Sequence, residues 1–75
     1  MKYIWKQPIS GTGSYTVQGT PRTIGVDLDG SLCVWFEEGP IATFIVAWTG
    51  DPIPDSFQII GTVTASLIYH LAVAQ

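Results

Sequence analysis

Two alternating runs of apolar residues on either side of Asp29-Gly30 constrain the fold of this chain more than any other feature. Apolar side chains occupy every second position in residues 23–28, and the alternation resumes in residues 32–36. A period of two is typical of a half-buried β-strand, and an Asp-Gly pair between two such runs indicates a tight type I′ hairpin turn. The inward face of the predicted hairpin consists of Ile24, Val26, Leu28, Leu32, Val34 and Phe36.

Other strand-like segments follow one another at intervals of roughly 8–12 residues, which is typical of a sandwich or a barrel. They cover residues 2–8, 15–18, 41–48, 57–63 and 67–73, and the glycines and prolines at 19–21 and 37–40 indicate turns. The last segment has the Ala and Leu content of a helix, but its β-branched and aromatic residues favour a strand. The sequence therefore predicts one all-β domain over residues 1–75, a compact antiparallel β-sandwich or small barrel of about six or seven strands.

The balance of apolar and charged residues predicts a homo-oligomer. Of the 75 residues, 47% are hydrophobic and only 12% are charged, whereas about 25% of the residues of an average soluble domain are charged. A domain of this size buries only roughly 60–65% of its unfolded surface. Much apolar surface would therefore face water in a monomer, and large exposed patches usually mark interfaces.

The few charges also limit what the chain can bind. Its strong bases are Lys2, Lys6 and Arg22, and its net charge is −3. Because each neutralised phosphate of duplex DNA needs its own cation, a DNA-binding groove is not expected. Binding of a small anionic ligand remains an alternative, since backbone amides can bind a phosphate without net positive charge.

The sequence carries no signal for secretion or membrane insertion. Cys33 is the only cysteine, so no intrachain disulfide is expected and a reducing cytosol fits the chain. The first residues lack the apolar stretch of a signal peptide, and no apolar run reaches the roughly 18–20 residues of a membrane helix. We expect a cytosolic protein without a membrane partner.

Residues 48–55 predict a stiff, shaped loop between two strands. Pro52 and Pro54 each fix φ and remove a backbone donor. Loops of this kind carry binding surfaces on small β-proteins, although a plain strand connection has the same composition. The acidic side chains of the loop either contact a ligand or cap turns. The loop residues of the candidate ligand-binding site are Trp48, Thr49, Asp51 and Asp55.

Four residues outside the loop complete the candidate ligand-binding site: Arg22, Trp35, Tyr69 and His70. Alternation places Trp35 on the less apolar face of its strand, where an aromatic ring is either an interface anchor or a stacking platform for a base. Arg22 is either an ordinary surface arginine or a fork for a phosphate. With one histidine and one cysteine, the chain is not expected to form a catalytic site or a zinc site, or to need a cofactor.

Several motifs of the chain resemble, in the same order, a family of small bacteriophage proteins whose activity is not established. The most specific of them is Thr49-Gly50-x-Pro52-Ile53-Pro54-Asp55, and the others extend the resemblance over nearly the whole chain. The chain departs from the family pattern at its end, where residues 71–75 run on. The remaining matching segments are Tyr3-x-Trp5-x-x-Pro8, Leu32-Cys33-Val34-Trp35, Gly61-Thr62-Val63 and His70-Leu71.

The resemblance implies a phage accessory protein that acts in the host bacterial cytoplasm. Small proteins of this class tend to act by binding. The leading hypothesis is a non-enzymatic, sponge-like anti-defence protein that sequesters a small nucleotide-derived immune signal. The alternative is an inhibitor that binds a host protein, using the proline-rich loop and its aromatic neighbours.

Overall fold

One long strand organises the computed structural model, which describes all residues Met1–Gln75. This strand, β3, spans Leu32–Trp48, and the other strands are β1 (Ile4–Pro8), β2 (Gly13–Val26), β4 (Phe57–Thr64) and β5 (Ile68–Ala74). β2 pairs with β3 along almost its whole length, while β1 and β5 share the other edge of β3. β4 then pairs with β5, which gives a single, open, five-stranded antiparallel sheet.

The all-β prediction is therefore confirmed, including a strand rather than a helix over most of residues 67–73. No sandwich and no closed barrel is found, and the strands number five rather than six or seven. The chain contains no helix that could span a membrane.

The lower strand number arises because two predicted turns lie within continuous strands. The break at residues 19–21 is part of β2, with shifts of register between Gln18 and Gly19 and between Pro21 and Thr23. The break at residues 37–40 is part of β3, and Gly19 pairs with Glu38. Residues 19–21 and 37–40 thus lie side by side. They form bulges that bend the β2–β3 pair instead of ending it.

The bend brings both ends of β3 into one hydrophobic core. Val34 and Val46 are twelve positions apart, which is roughly 40 Å along a straight strand, yet both belong to the same buried cluster. At the far side of the core, a Cβ on Gly61 of β4 would lie 3.5 Å from the Ile24 side chain of β2. The buried members of the cluster are Ile9, Val17, Ile24, Val34, Phe44, Val46 and Leu71.

The hairpin between β2 and β3 forms where predicted, but with a different turn. The Gly30 N–H donates to the Asp27 carbonyl over 2.9 Å, and no residue other than glycine has a positive φ. The turn is therefore not type I′; it is an ordinary turn over residues 27–30, and its last residue, Gly30, has a φ of 87°. Of the predicted inward face, Val26 and Leu28 are exposed, because the strand ends at Val26 and Leu28 lies in the turn.

Side chains of the turn fasten it to the rest of the sheet. The Asp27 carboxylate accepts the Leu28 N–H and pairs with the Lys6 ammonium of β1. The Asp29 carboxylate accepts the Ser31 N–H over 2.9 Å. The pKa values of both aspartates are lowered, chiefly by the Lys6 hydrogen bond for Asp27 and by the Ser31 amide for Asp29.

Replacement of Gly30 by valine tests the turn. Since Gly30 has a φ of 87°, Gly30→Val is expected to destabilise the fold by about 1–2 kcal/mol. Leu28→Val, in the same turn at an exposed position without positive φ, is the control and should leave the melting temperature nearly unchanged. Equal melting temperatures for the two variants would contradict the turn geometry.

Replacement of Gly19 by alanine tests the bend. A Cβ at this position would lie 2.0 Å from the Glu37 carbonyl oxygen, so the backbones of β2 and β3 would have to move apart. We expect Gly19→Ala to cost about 1–3 kcal/mol, which lowers the melting temperature by roughly 4–8 °C per kcal/mol. Gly39→Ala is the matched control, because its Cβ would meet nothing closer than 3.8 Å. An unchanged melting temperature for Gly19→Ala would rule out this packing.

Candidate functional site

The structure divides the predicted site residues between two places. A cavity of about 220 Å³ under the proline-rich loop is lined by Trp48, Thr49, Asp51 and His70. Arg22 and Trp35 line a separate groove. Asp55 is exposed in the turn before β4 and lines neither of them. The remaining walls of the loop cavity are Ala47, Gly50, Ile53, Ile59 and Ala72.

Two consecutive turns give the proline-rich loop its shape. In the first, the Asp51 N–H donates to the Trp48 carbonyl, and the Asp51 carboxylate accepts the Trp48 N–H, both over 3.1 Å. In the second, the Phe57 N–H donates to the Pro54 carbonyl over 2.9 Å. Pro52 lies between these turns and Pro54 is the first residue of the second one, and Asp51 acts as a turn cap.

His70 joins the loop to the sheet beneath it. Its Nε2 lies 2.7 Å from Thr49 Oγ1, and its Nδ1 lies 2.9 Å from Thr62 Oγ1. A hydroxyl can donate or accept, so both ring nitrogens are satisfied in either neutral tautomer. This arrangement fixes the position of the loop, and it leaves the ring nitrogens engaged with the protein.

Cys33 lies apart from this histidine. It aligns with Pro8 and Gly25, whereas His70 aligns with Ala47 near the other end of β3. The thiol side chain is only 1% exposed, and this burial raises the pKa of Cys33, which disfavours the reactive thiolate. No group of three or more His, Cys, Asp or Glu side chains is arranged to hold a metal ion.

The second place is a groove of about 300 Å³ beside Trp35, which is not part of the hydrophobic core. It is bounded by Arg22, Trp35, Ile4, Thr23, Phe36 and Glu37. The indole of Trp35 covers Gly25 of the neighbouring strand, where an added Cβ would lie 3.2 Å from the ring. The absence of a side chain at position 25 therefore lets the indole lie against the sheet.

Two of the three strong bases of the chain pair with Glu37, which lines this groove. Arg22 Nε donates to Glu37 Oε1 over 2.8 Å, and Lys2 Nζ lies 3.5 Å from Glu37 Oε2. The Arg22 hydrogen bond is the main reason that the pKa of Glu37 is lowered. The guanidinium uses its Nε in this contact, while its two Nη groups have no hydrogen-bond partner in the protein.

Sequence reasoning missed Lys2 and Glu37 as parts of this site. The position of Glu37 beside Trp35 could have been predicted, because Glu37 is two residues after Trp35 and alternation puts both on one face. The prediction of a turn at residues 37–40 obscured this alternation. In the structure, Glu37 continues β3 and aligns with Ile4 of β1 and Thr20 of β2.

Trp48 and Tyr69 form a third aromatic site at the end of the sheet. They are aligned on β3 and β5, and their rings are tilted with centroids 6.4 Å apart. Trp48 also lines an open apolar groove of about 470 Å³ with Leu67 and Ile68. Tyr69 is thus close to the loop cavity through Trp48 and lines neither the cavity nor the Arg22 groove.

Comparisons with protein-family models, with curated proteins and with solved structures find no match to this chain.

A pH titration tests the ion pairs at the groove. We expect the Glu37 carboxyl to titrate below the ordinary glutamate value of about 4.3, and its pKa to rise in Arg22→Ala and less in Lys2→Ala. A lowered folded-state pKa contributes stability above the unfolded pKa, and this contribution is lost as pH falls through the folded pKa. Glu37→Gln should therefore lose less stability on acidification than the wild type.

Carboxyl-carbon NMR shifts and melting temperatures at stepped pH give the two readouts. The interpretation fails if Glu37 titrates identically in the wild type and in Arg22→Ala.

Proposed function

We propose that the protein is a non-enzymatic binding protein that holds a small nucleotide-derived ligand in the groove beside Trp35. One observation carries this proposal: the Trp35 indole and Arg22 line one groove, and Lys2 pairs with Glu37 at the wall of that groove. An aromatic face next to a cationic fork suits a base linked to a phosphate. Together with the resemblance to phage proteins, this favours a sponge-like anti-defence protein in a host bacterium.

The groove divides recognition between stacking and charge. Trp35 supplies a flat surface on which a base can stack, and stacking tolerates any base. The two Nη groups of Arg22 supply parallel donors for phosphate oxygens, as a planar guanidinium does. Glu37 lies beside the same guanidinium and would repel a phosphate, so the ligand must compete with this carboxylate for Arg22.

A second copy of the chain would complete the site. Ligand pockets usually measure about 300–1,000 Å³ and enclose most of their ligand, and this groove, at about 300 Å³, is at the lower limit and open. The proposed functional unit is therefore a homo-oligomer in which a neighbouring subunit covers the groove once a ligand is bound.

A specific observation also favours the alternative, an inhibitor that binds a host protein. The loop at residues 48–55 includes exposed Trp48, which lies beside exposed Leu67 and Ile68. Tryptophan is a typical anchor of protein interfaces, and contiguous exposed apolar side chains often mark interaction sites. In this alternative the loop and its neighbours contact the host protein directly, and the Arg22 groove has no ligand.

Calorimetry with cyclic dinucleotides, cyclic oligonucleotides and ADP-ribose derivatives tests the proposal. For a ligand that binds, Arg22→Ala should weaken binding at least roughly tenfold, since a charge-assisted contact contributes about 1.5–3 kcal/mol. Trp35→Ala should cost about 1–3 kcal/mol if a base stacks there. Glu37→Gln should strengthen binding, because it removes the competing carboxylate and keeps the shape of the side chain.

Lys6→Ala is the matched control, because Lys6 is the one strong base that pairs elsewhere, with Asp27. It should bind the ligand as the wild type does. If no compound binds more tightly than micromolar, the nucleotide proposal is abandoned in favour of the inhibitor. If a compound binds and Arg22→Ala binds it equally well, the ligand is held at another site.

A further inference from the structure

The open sheet leaves three strands with an unpaired edge. β1 and β2 each pair only with β3, and β4 pairs only with β5. An unpaired edge presents rows of free N–H and C=O groups that can pair with another chain. Natural proteins usually protect such edges with lysine, proline, bulges or short length.

β1 and β2 carry these protections. β1 has five residues, among them Lys6 and Pro8. β2 contains Pro21 and Arg22, and its register shifts twice. A strand added along β1 would meet a charge and a missing backbone donor. A strand added along the whole of β2 would meet both, together with the changes of register at residues 18–23, although residues 13–18 of β2 carry none of these protections.

β4 lacks almost all of these edge protections. Its eight residues, Phe57–Thr64, include no charged residue and no proline. Its one irregularity is the register shift between Ile59 and Gly61, after which residues 61–64 pair with β5 without a break. Ile59 and Ile60 are 52% and 37% exposed, and residues 58–64 form no backbone hydrogen bond outside the strand ladder.

We propose that the free edge of β4 pairs antiparallel with the same edge of a second copy of this chain, across a two-fold axis. The chemistry of the edge selects this occupant. An isologous contact places the same edge of both copies together, so like charges on a charged edge come close to one another, whereas an uncharged edge has no such repulsion. β4 also consists mainly of β-branched and aromatic residues, which form favourable cross-strand pairs.

The pairing covers apolar surface that one chain leaves in water. Ile59 and Ile60 of both copies lie along the joined edge, and the two sheets become one continuous sheet of ten strands, five from each copy. Ile59 also lines the loop cavity, so the partner approaches that cavity from the β4 side. This inference does not depend on the ligand proposed above, and it is tested without any ligand.

Amide hydrogen exchange at low and high protein concentration tests the pairing directly. Free-edge amides of β4 should exchange at least roughly tenfold more slowly in the concentrated sample, because pairing protects them only in the dimer. Amides on the free edges of β1 and β2 should be unchanged. Sedimentation should show a species of twice the 8.1 kDa chain mass.

Three variants locate the interface. Ile59→Lys and Gln58→Lys should give monomers, since each places like charges close together across the two-fold axis, and Gln58 is already polar and exposed, so that its replacement should not impair folding. Ile41→Lys, at a 72% exposed position of β3, is the control and should remain dimeric. A monomeric wild type at high concentration overturns the proposal, as does protection that appears on β1 or β2 in place of β4, or a dimer lost in Ile41→Lys and kept in the β4 variants.

Discussion

The close approach of β2 and β3 at Gly19 is the constraint on which the rest of the structure depends. Because a side chain at position 19 would overlap the Glu37 carbonyl, only glycine lets the strands stay paired through the bend. The bend lets a single seventeen-residue strand contribute Val34 and Val46 to one core. A small domain buries too little surface to form two separate cores. The curvature at this one contact therefore makes a single open sheet stable.

Much of the local structure could be predicted from the sequence, because alternation is a local signal. It correctly predicts that Phe44 and Val46 face the core and that Trp35 faces away. The bend could not be predicted in the same way. Gly and Pro at residues 19–21 and 37–40 have the composition of turns, and only the knowledge that the two segments pair with each other shows that they form bulges. Register between distant segments is not a local property.

The same limit applies to the candidate site. The sequence identified Trp35, Arg22 and His70, but which of them meet depends on strand pairing. Arg22 lies near Trp35 because the next residue of β2, Thr23, aligns with Trp35 on β3. Glu37 is also on β3, two residues after Trp35, and it therefore lies beside both side chains. His70 instead aligns with Ala47 and supports the proline-rich loop. Residue type thus indicated suitable chemistry, and the topology assigned these residues to two separate places.

Charge pairing determines what kind of ligand this surface can hold. Each strong base is paired with a carboxylate, Lys6 with Asp27 and both Lys2 and Arg22 with Glu37. With a net charge of −3 per chain, no long-range field draws an anion to the protein, and assembly of two copies doubles the negative charge. Under the proposed function, an anionic ligand would therefore be held by short-range contacts, namely stacking on Trp35 and donors from Arg22. Selectivity at the groove would then come from shape and hydrogen bonding, which suits a small nucleotide better than a polyanion.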